Sequence, residues 1–227
     1  MSSLKWLAMA RHGESVGNAA WRAADSAELD EIEINLRDPD VPLSDTGRRQ
    51  AKALGRRLAA MPLGERPTVV ISSPYIRAAE TARIAVAEIG DPPVHYDERL
   101  RDRETGVLYA LTWRGIAARY PEEAARKRLT GKFYYRPPGG ESWADVALRL
   151  RSVLSDIERD HPDGRVLVVA HDAVVVLTRY IVERLTEHEV LEIERTLVSN
   201  GSLTTWARED GELRLVAFNS TEHLDPA

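Results

Sequence analysis

The sequence predicts an α/β fold in which a mostly parallel sheet is covered by helices on both faces. Three observations carry this. Runs of consecutive apolar, often β-branched residues at 4–10, 68–71 and 165–170 have the pattern of strands buried on both sides. Segments of helical period alternate with these runs, as a parallel sheet with crossover helices requires. The chain has 227 residues, 43% hydrophobic and 30% charged, the length and ordinary composition of one domain spanning 1–227.

Each element has its own signal. Residues 4–10 form an apolar run that stops at Arg11-His12-Gly13. In 46–60, Ala51, Leu54, Leu58 and Met61 share one helical face. Thr-Val-Val-Ile at 68–71 is a short strand, closed by Ser72-Ser73-Pro74, and a helix follows to about Glu88. Val94–Tyr96 is a third short strand, and 111–119 and 121–129 are two helices. Pro137-Pro138-Gly139-Gly140 makes a rigid turn. Ser142 with Asp145 has the spacing of a capping box, opening a helix whose Val146, Leu150, Val153 and Ile157 lie on one side. Residues 165–170 form another buried strand and 174–185 an apolar helix. Strands at 202–208 and 213–219 flank an Asp210-Gly211 hairpin turn. Residues 28–40 are acidic and aperiodic, which reads as a solvated loop or short helix, with a lid over the site as the alternative.

Composition removes several function classes. There is no cysteine, which excludes disulfides, thiolate catalysis and cysteine-based zinc sites. A net charge of -5 argues against a nucleic-acid footprint. No segment is long and apolar enough to span a bilayer, and the first ten residues lack the apolar region of a signal peptide, so a cytoplasmic protein without a membrane partner is expected.

In open α/β sheets, ligands bind beyond the carboxyl ends of the strands. Three of the buried strands end in groups suited to a phosphate: Arg11-His12-Gly13-Glu14-Ser15, Ser72-Ser73-Pro74 with Arg77 just beyond, and His171-Asp172. Arginine offers a permanently charged planar fork to phosphoryl oxygens, and imidazole can attack phosphorus without a metal. Taken singly, an arginine or histidine is most often structural. Two of each at three strand ends are harder to dismiss. Two histidines with no carboxylate partner at helical spacing make a poor zinc site, so no metal is expected.

These segments resemble the histidine phosphatase superfamily, which includes the phosphoglycerate mutases. Arg11-His12-Gly13-Glu14-Ser15 with Asn18 resembles its opening motif. Pro42-Leu43-Ser44-Asp45-Thr46-Gly47 with Gln50-Ala51 resembles the entry to its first helix, and Ser72-Ser73-Pro74 through Arg77 and Glu80-Thr81-Ala82 its second arginine segment. Gly139-Gly140-Glu141-Ser142 and Val169-Ala170-His171 resemble later motifs. The resemblance implies a three-layer α/β/α sandwich, a phosphohistidine on His12, and a clamp of Arg11, Arg77 and His171 assisted by Asn18. It implies neither metal nor cofactor. The expected activity is a phosphomonoester phosphatase for small phosphorylated metabolites, sugar phosphates among them, releasing inorganic phosphate. A mutase-type phosphotransferase, a phosphoprotein phosphatase and a non-catalytic phospho-ligand module are the alternatives.

The middle of the chain is most similar to the fructose-2,6-bisphosphatase branch, through Thr112-Trp113, Arg119-Tyr120-Pro121-Glu122-Glu123, Lys132-Phe133-Tyr134-Tyr135-Arg136 and Gly140-Glu141-Ser142. Arg128 and Lys132 stand where that branch holds a second phosphate. Trp113 and Trp143 replace tyrosines there, Asp172 replaces glutamine and Val176 replaces arginine. The family's general acid lies four residues before a glycine, which places it on Asp102 ahead of Gly106. Asp172 and Glu104 are the other candidates, Glu104 also reading as an ion-pair partner of Arg101 or Arg103.

Overall fold

The computed structural model describes residues 3–224. Six strands form one sheet: β1 (Trp6–Arg11), β2 (Val69–Ser72), β3 (Val94–Tyr96), β4 (Arg165–Ala170), β5 (Leu203–Glu209) and β6 (Glu212–Ser220). Their order is β3-β2-β4-β1-β5-β6. β1 to β4 run parallel, and β5 and β6 add an antiparallel hairpin. Asp210 and Gly211 close that hairpin with φ of 50° and 78°, the left-handed pair its tight turn demands.

The apolar runs are continuous because both faces are covered. On β1, Trp6, Ala8 and Ala10 enter one core with Leu167 and Val169 of β4. Leu7 and Met9 enter the other with Val166, Val168 and Ala170. The first core is closed by α2 (Asp45–Ala59) and α3 (Ile76–Ala87) through Leu54, Leu58, Ala78, Ala82 and Ala85. The second is closed by α6 (Trp143–Asp160) and α7 (Asp172–Val182) through Leu150, Val153, Val174 and Val175. The result is a three-layer α/β/α sandwich, as the sequence leads one to expect.

The predicted capping box at the start of α6 is present. Ser142 Oγ accepts from Asp145 N at 3.1 Å, and Asp145 Oδ2 accepts from Ser142 N at 2.8 Å. Ser142→Ala is expected to cost about 1 kcal/mol, read as a lower urea midpoint with unchanged slope.

Sequence reasoning did not foresee two helices, α1 (Val16–Ser26) and α8 (Glu187–Glu194). α1 is amphipathic but short, with Ala24 its one buried residue, and α8 likewise buries only Val190. The helices expected at 111–119 and 121–129 are α4 (Trp113–Arg119) and α5 (Pro121–Thr130).

The acidic segment departs from the solvated-loop reading. Two of its carboxylates face outward onto α4: Asp30 meets Arg114 at 3.1 Å and Glu31 meets Arg119 at 2.7 Å. Its apolar residues Ile32 and Ile34 turn inward and line a cavity at the strand ends. Thr112 N donates to Asp30 O at 3.0 Å, and Ile32 N donates to Ala110 O at 2.9 Å, so backbone contacts hold the segment as a roof. Among the described residues, no helix is long and apolar enough to cross a membrane.

Candidate active site

β2, β4 and β1 are adjacent and parallel, so their carboxyl ends share one edge of the sheet. That edge gathers Arg11, His12, Ser73 and His171, with Arg77 from the first turn of α3. The cavity over them has a volume of about 530 Å³. It is lined by Arg11, His12, Asn18, Arg77, Asp102 and Asp172, and farther out by Trp113, Lys127, Lys132 and Trp143.

The loop that carries His12 is held by backbone. His12 N donates to Ala170 O at 2.9 Å, continuing the β1–β4 ladder one residue past the strand. Gly13 N donates to Thr81 Oγ1 at 3.0 Å, and that hydroxyl donates to Arg77 O at 2.7 Å. Thr81 therefore ties the histidine loop to the arginine helix. A Cβ on Gly13 would lie 2.4 Å from Gly47 O, and one on Gly47 would lie 2.0 Å from Glu14 O. Two backbones cross here with no room for a side chain, which is why both positions are glycine.

The buried His12 ring has one fixed tautomer. Its Nδ1 lies 2.6 Å from Gly13 O, and a carbonyl can only accept, so Nδ1 carries the hydrogen. Nε2 is left with its lone pair. Burial lowers the His12 pKa well below the usual histidine value, and Arg77, His171 and Arg11 push it the same way. The ring is thus neutral and nucleophilic at physiological pH. The His12 and His171 rings stand 5.1 Å apart, nearly edge to face.

Arg11, Arg77 and His171, the residues expected to clamp a phosphoryl group, differ in how they are held. Arg11 is 8% exposed, donates through Nη1 to Val198 O, and leaves Nε without a partner. It forms no ion pair among the described residues, so its charge is uncompensated, as an anion site requires. His171 Nε2 lies 2.9 Å from Ser73 Oγ. Its Nδ1 lies 3.3 Å from Asp102 Oδ2, an ion-pair distance without hydrogen-bond alignment. Burial lowers the His171 pKa, though Asp102 opposes the shift. Arg77 donates to Asp102 Oδ2 at 2.9 Å and to the backbone oxygen of Asp38 at 2.6 Å, and the Asp38 carboxylate lies 3.0 Å from its Nη1.

The two carboxylates on Arg77 are driven apart. Burial opposes ionisation of Asp102, but His171 and Arg77 outweigh it and hold its pKa well below the usual carboxylate value. Burial raises the Asp38 pKa despite Arg77, and Asp102 adds to the rise. Asp172 opens α7 and accepts from Ala173 N at 2.7 Å. Glu104 does not line the cavity. It accepts from Gly106 N at 2.9 Å, and Glu141, not Glu104, is the ion-pair partner of Arg101.

Asn18 has a structural duty. Its Oδ1 accepts from Ser15 N at 3.1 Å, completing a capping box on α1, and from Asn200 Nδ2 at 3.0 Å. Asn200 Nδ2 also lies 3.2 Å from His12 O. Nothing in the sequence marks Asn200, which sits in an irregular stretch before β5.

The outer cations differ from the sequence expectation. Arg128 is exposed and does not line the cavity. Glu123, Ala124 and Lys127 form the inward face of α5, and one further residue turns the side chain about 100° away. Lys127 takes the place expected for Arg128, with Nζ 4.0 Å from the Trp113 ring centre. Burial, with Lys132 and Arg103 nearby, lowers its pKa to about 8. Lys132 lines the cavity over the Trp143 ring but is paired with Glu194. Arg103, which the sequence reading did not select for the pocket, lines it and donates to Glu141 O at 2.7 Å. Among the described residues, no group of three or more His, Asp or Glu side chains is placed to hold a metal ion.

A buried imidazole with a free Nε2 lone pair, set among two guanidinium groups at the carboxyl edge of a parallel sheet, is an arrangement suited to phosphoryl transfer. The comparisons place it further. The model of the histidine phosphatase superfamily (branch 1) matches residues 7–221, and the chain belongs to that family. It is 33% identical over 195 residues to a 2,3-bisphosphoglycerate-dependent phosphoglycerate mutase 2 of Gloeobacter violaceus, covering 83% of this chain and 80% of that one. It is 32% identical over 186 residues to a metal-independent phosphoserine phosphatase of Arabidopsis thaliana, covering 82% and 71%. The solved structure of a mycobacterial glucosyl-3-phosphoglycerate phosphatase superposes with a TM-score of 0.77 at 26% identity, covering 96% of this chain and 99% of that one.

Proposed function

We propose that the chain hydrolyses phosphomonoesters of small metabolites by way of a phosphohistidine on His12. The observation that carries this is the Nδ1–Gly13 carbonyl contact, which leaves Nε2 unprotonated beside the uncompensated Arg11. Nε2 attacks phosphorus, the P–N bond forms and the ester P–O bond breaks. The leaving oxygen takes a proton from Asp102. Water then attacks phosphorus, gives its proton to the Asp102 carboxylate and breaks the P–N bond, releasing orthophosphate. Arg11, Arg77 and His171 stabilise the equatorial oxygens throughout. Asp102 is ionised in the ligand-free pocket, and an arriving dianion raises its pKa so that it can carry the proton. We place this activity in the cytoplasm.

Turnover of a panel of phosphate esters tests the proposal. The panel includes phosphoserine, phosphoglycerates, fructose 2,6-bisphosphate, nucleotides and phosphopeptides. Orthophosphate release from small esters is expected. Isomerisation of a phosphoglycerate without net release would instead make the chain a mutase.

The outer cations point to esters bearing a second anionic group. Lys127 has no carboxylate partner among the described residues, and Arg103 donates only to carbonyls. A Lys127→Ala, Lys132→Ala double variant is expected to lose about tenfold in kcat/KM on such esters, the worth of one charge-assisted hydrogen bond. Its rate on nitrophenyl phosphate should change little. Arg128→Ala should change neither, since Arg128 lies outside the cavity.

A further inference from the structure

The cavity reaches beyond the phosphoryl clamp, and part of its outer wall is hydrocarbon. α1 leads away from the strand edge, with Asn18 on its first turn and Trp21 one turn farther along, both lining the cavity. Ile32 and Ile34 of the acidic segment continue the wall, followed by Leu108 and Leu111 from the loop before α4 and Ile116 of α4 itself. Ile34 comes close to the clamp: a Cβ built on Gly17, the residue before Asn18, would lie 3.5 Å from Ile34 Cδ1. The residues flanking the two isoleucines, Glu31, Glu33 and Asn35, are exposed.

Core packing does not account for these apolar side chains, since none of them belongs to either hydrophobic core of the sandwich. They are nonetheless held in place. Ile34 N donates to Ile32 O at 3.1 Å, Leu108 N to Thr105 O at 3.1 Å, Leu111 N to Leu108 O at 3.2 Å and Ile116 N to Thr112 O at 2.9 Å. Thr112 Oγ1 donates to Leu29 O at 2.7 Å. α4 crosses the acidic segment with no room for a side chain at Gly115, whose added Cβ would run into Asp30 O. The wall is therefore preformed, and the amides of these residues are satisfied within it, leaving them unable to meet a ligand hydroxyl.

What lies against this wall follows from its continuity with His12. A phosphoryl group between Arg11, Arg77 and His171 fills one end of the cavity, and the alcohol attached to it occupies the rest. An alcohol hydroxylated on every side, such as a sugar or a glycerate, would turn hydroxyls to hydrocarbon with nothing to pair them. An apolar alcohol would cover the wall and release the water over it.

Building on the phosphatase reading above, we propose that the substrate is the monophosphate ester of an apolar alcohol, whose hydrocarbon body lies against Trp21, Ile32, Ile34 and the loop before α4. A second anion, where the ester carries one, meets Lys127, which enters the cavity from α5.

Steady-state kinetics with straight-chain alkyl phosphates from methyl to hexyl test this. The bond that breaks is the same throughout, so chain length reports burial. In the wild-type protein, kcat/KM is expected to rise about fourfold per methylene, the effect of taking one such group out of water. Glycerol phosphate should fall below propyl phosphate by about tenfold or more, because its extra hydroxyls go unpaired. In an Ile32→Ser, Ile34→Ser double variant the gain per methylene should shrink to less than about twofold, and an Ile32→Leu, Ile34→Leu variant should keep the wild-type slope. Calorimetry with tungstate, a phosphate mimic without carbon, reports the clamp alone, and both variants should bind it as the wild type does. A flat chain-length series in the wild-type protein, with glycerol phosphate turned over as fast as propyl phosphate, would overturn the proposal and leave the phosphatase reading standing. A slope that survives the serine substitutions puts the chain elsewhere in the cavity, and the proposal is again wrong. It is wrong too if the serine variant loses tungstate binding, because the segment then shapes the clamp and does not hold the alcohol. If no ester releases orthophosphate, the phosphatase reading fails instead, and hexyl phosphate displacing tungstate at lower concentration than methyl phosphate would still uphold the apolar site.

Discussion

Replacing His12 by alanine is expected to lower kcat by at least about four orders of magnitude, because the whole route through a covalent intermediate goes with it. The fold should survive. His12 sits at the end of β1, beyond the last ladder residue, and its backbone hydrogen bond to Ala170 needs no side chain. Rapid quench of the wild-type protein with a labelled ester should trap acid-labile, alkali-stable phosphate on His12, and the variant should trap none. Near-normal turnover in His12→Ala would reject the mechanism outright. His12→Gln isolates the chemistry further. It keeps a polar side chain of similar length in the pocket but offers no nitrogen lone pair, so tungstate should still bind while turnover is lost.

The second large effect belongs to Asp102 and depends on the leaving group. An alkoxide is a poor leaving group and needs a proton in the transition state, whereas nitrophenolate does not. Asp102→Asn is therefore expected to lower kcat on an alkyl phosphate by about a hundredfold or more, and to spare nitrophenyl phosphate within roughly tenfold. The residual loss reflects Arg77 and His171, which both lose their charged partner. Asp172 is the competitor, since it also lines the cavity. A selective alkyl-phosphate defect in Asp172→Asn, absent from Asp102→Asn, would transfer the role to Asp172.

What the sequence discloses and what it hides have a common physical basis. The buried strands are legible because burial on both faces forces an unbroken apolar run, and their ends are legible because that run stops at charged groups. Arg11, His12, Arg77 and His171 could be grouped from those ends alone, and the structure brings them to one edge. Asp38 escaped because it lies in an aperiodic acidic stretch whose other carboxylates, Asp30 and Glu31, do face outward onto arginines. Alternating duty within one irregular segment leaves no period to read. Lys127 was missed in favour of Arg128 because analogy fixes a neighbourhood but not the rotation of a helix, and one residue decides whether a charge faces the cavity or water. Asn200 was invisible because it reaches the nucleophile's carbonyl across the sheet, a contact that only the β1–β5 pairing creates.

The place of β1 in the sheet has a consequence for how the protein is made. β1, which carries His12 at its end, is synthesised well before either of its neighbours: Trp6 pairs with Arg165 on one side and with Ala207 on the other. Until those partners are synthesised, β1 has two open edges and two uncovered apolar faces. At about 5–20 residues per second, that leaves roughly ten seconds or more in which nascent β1 must be shielded. Contacts spanning so much of the chain also make closure of the sheet slow, because the entropy of the long loop is lost before the pairing is gained. A nascent chain that still lacks β4 and β5 holds His12 without the strand ends that complete its pocket.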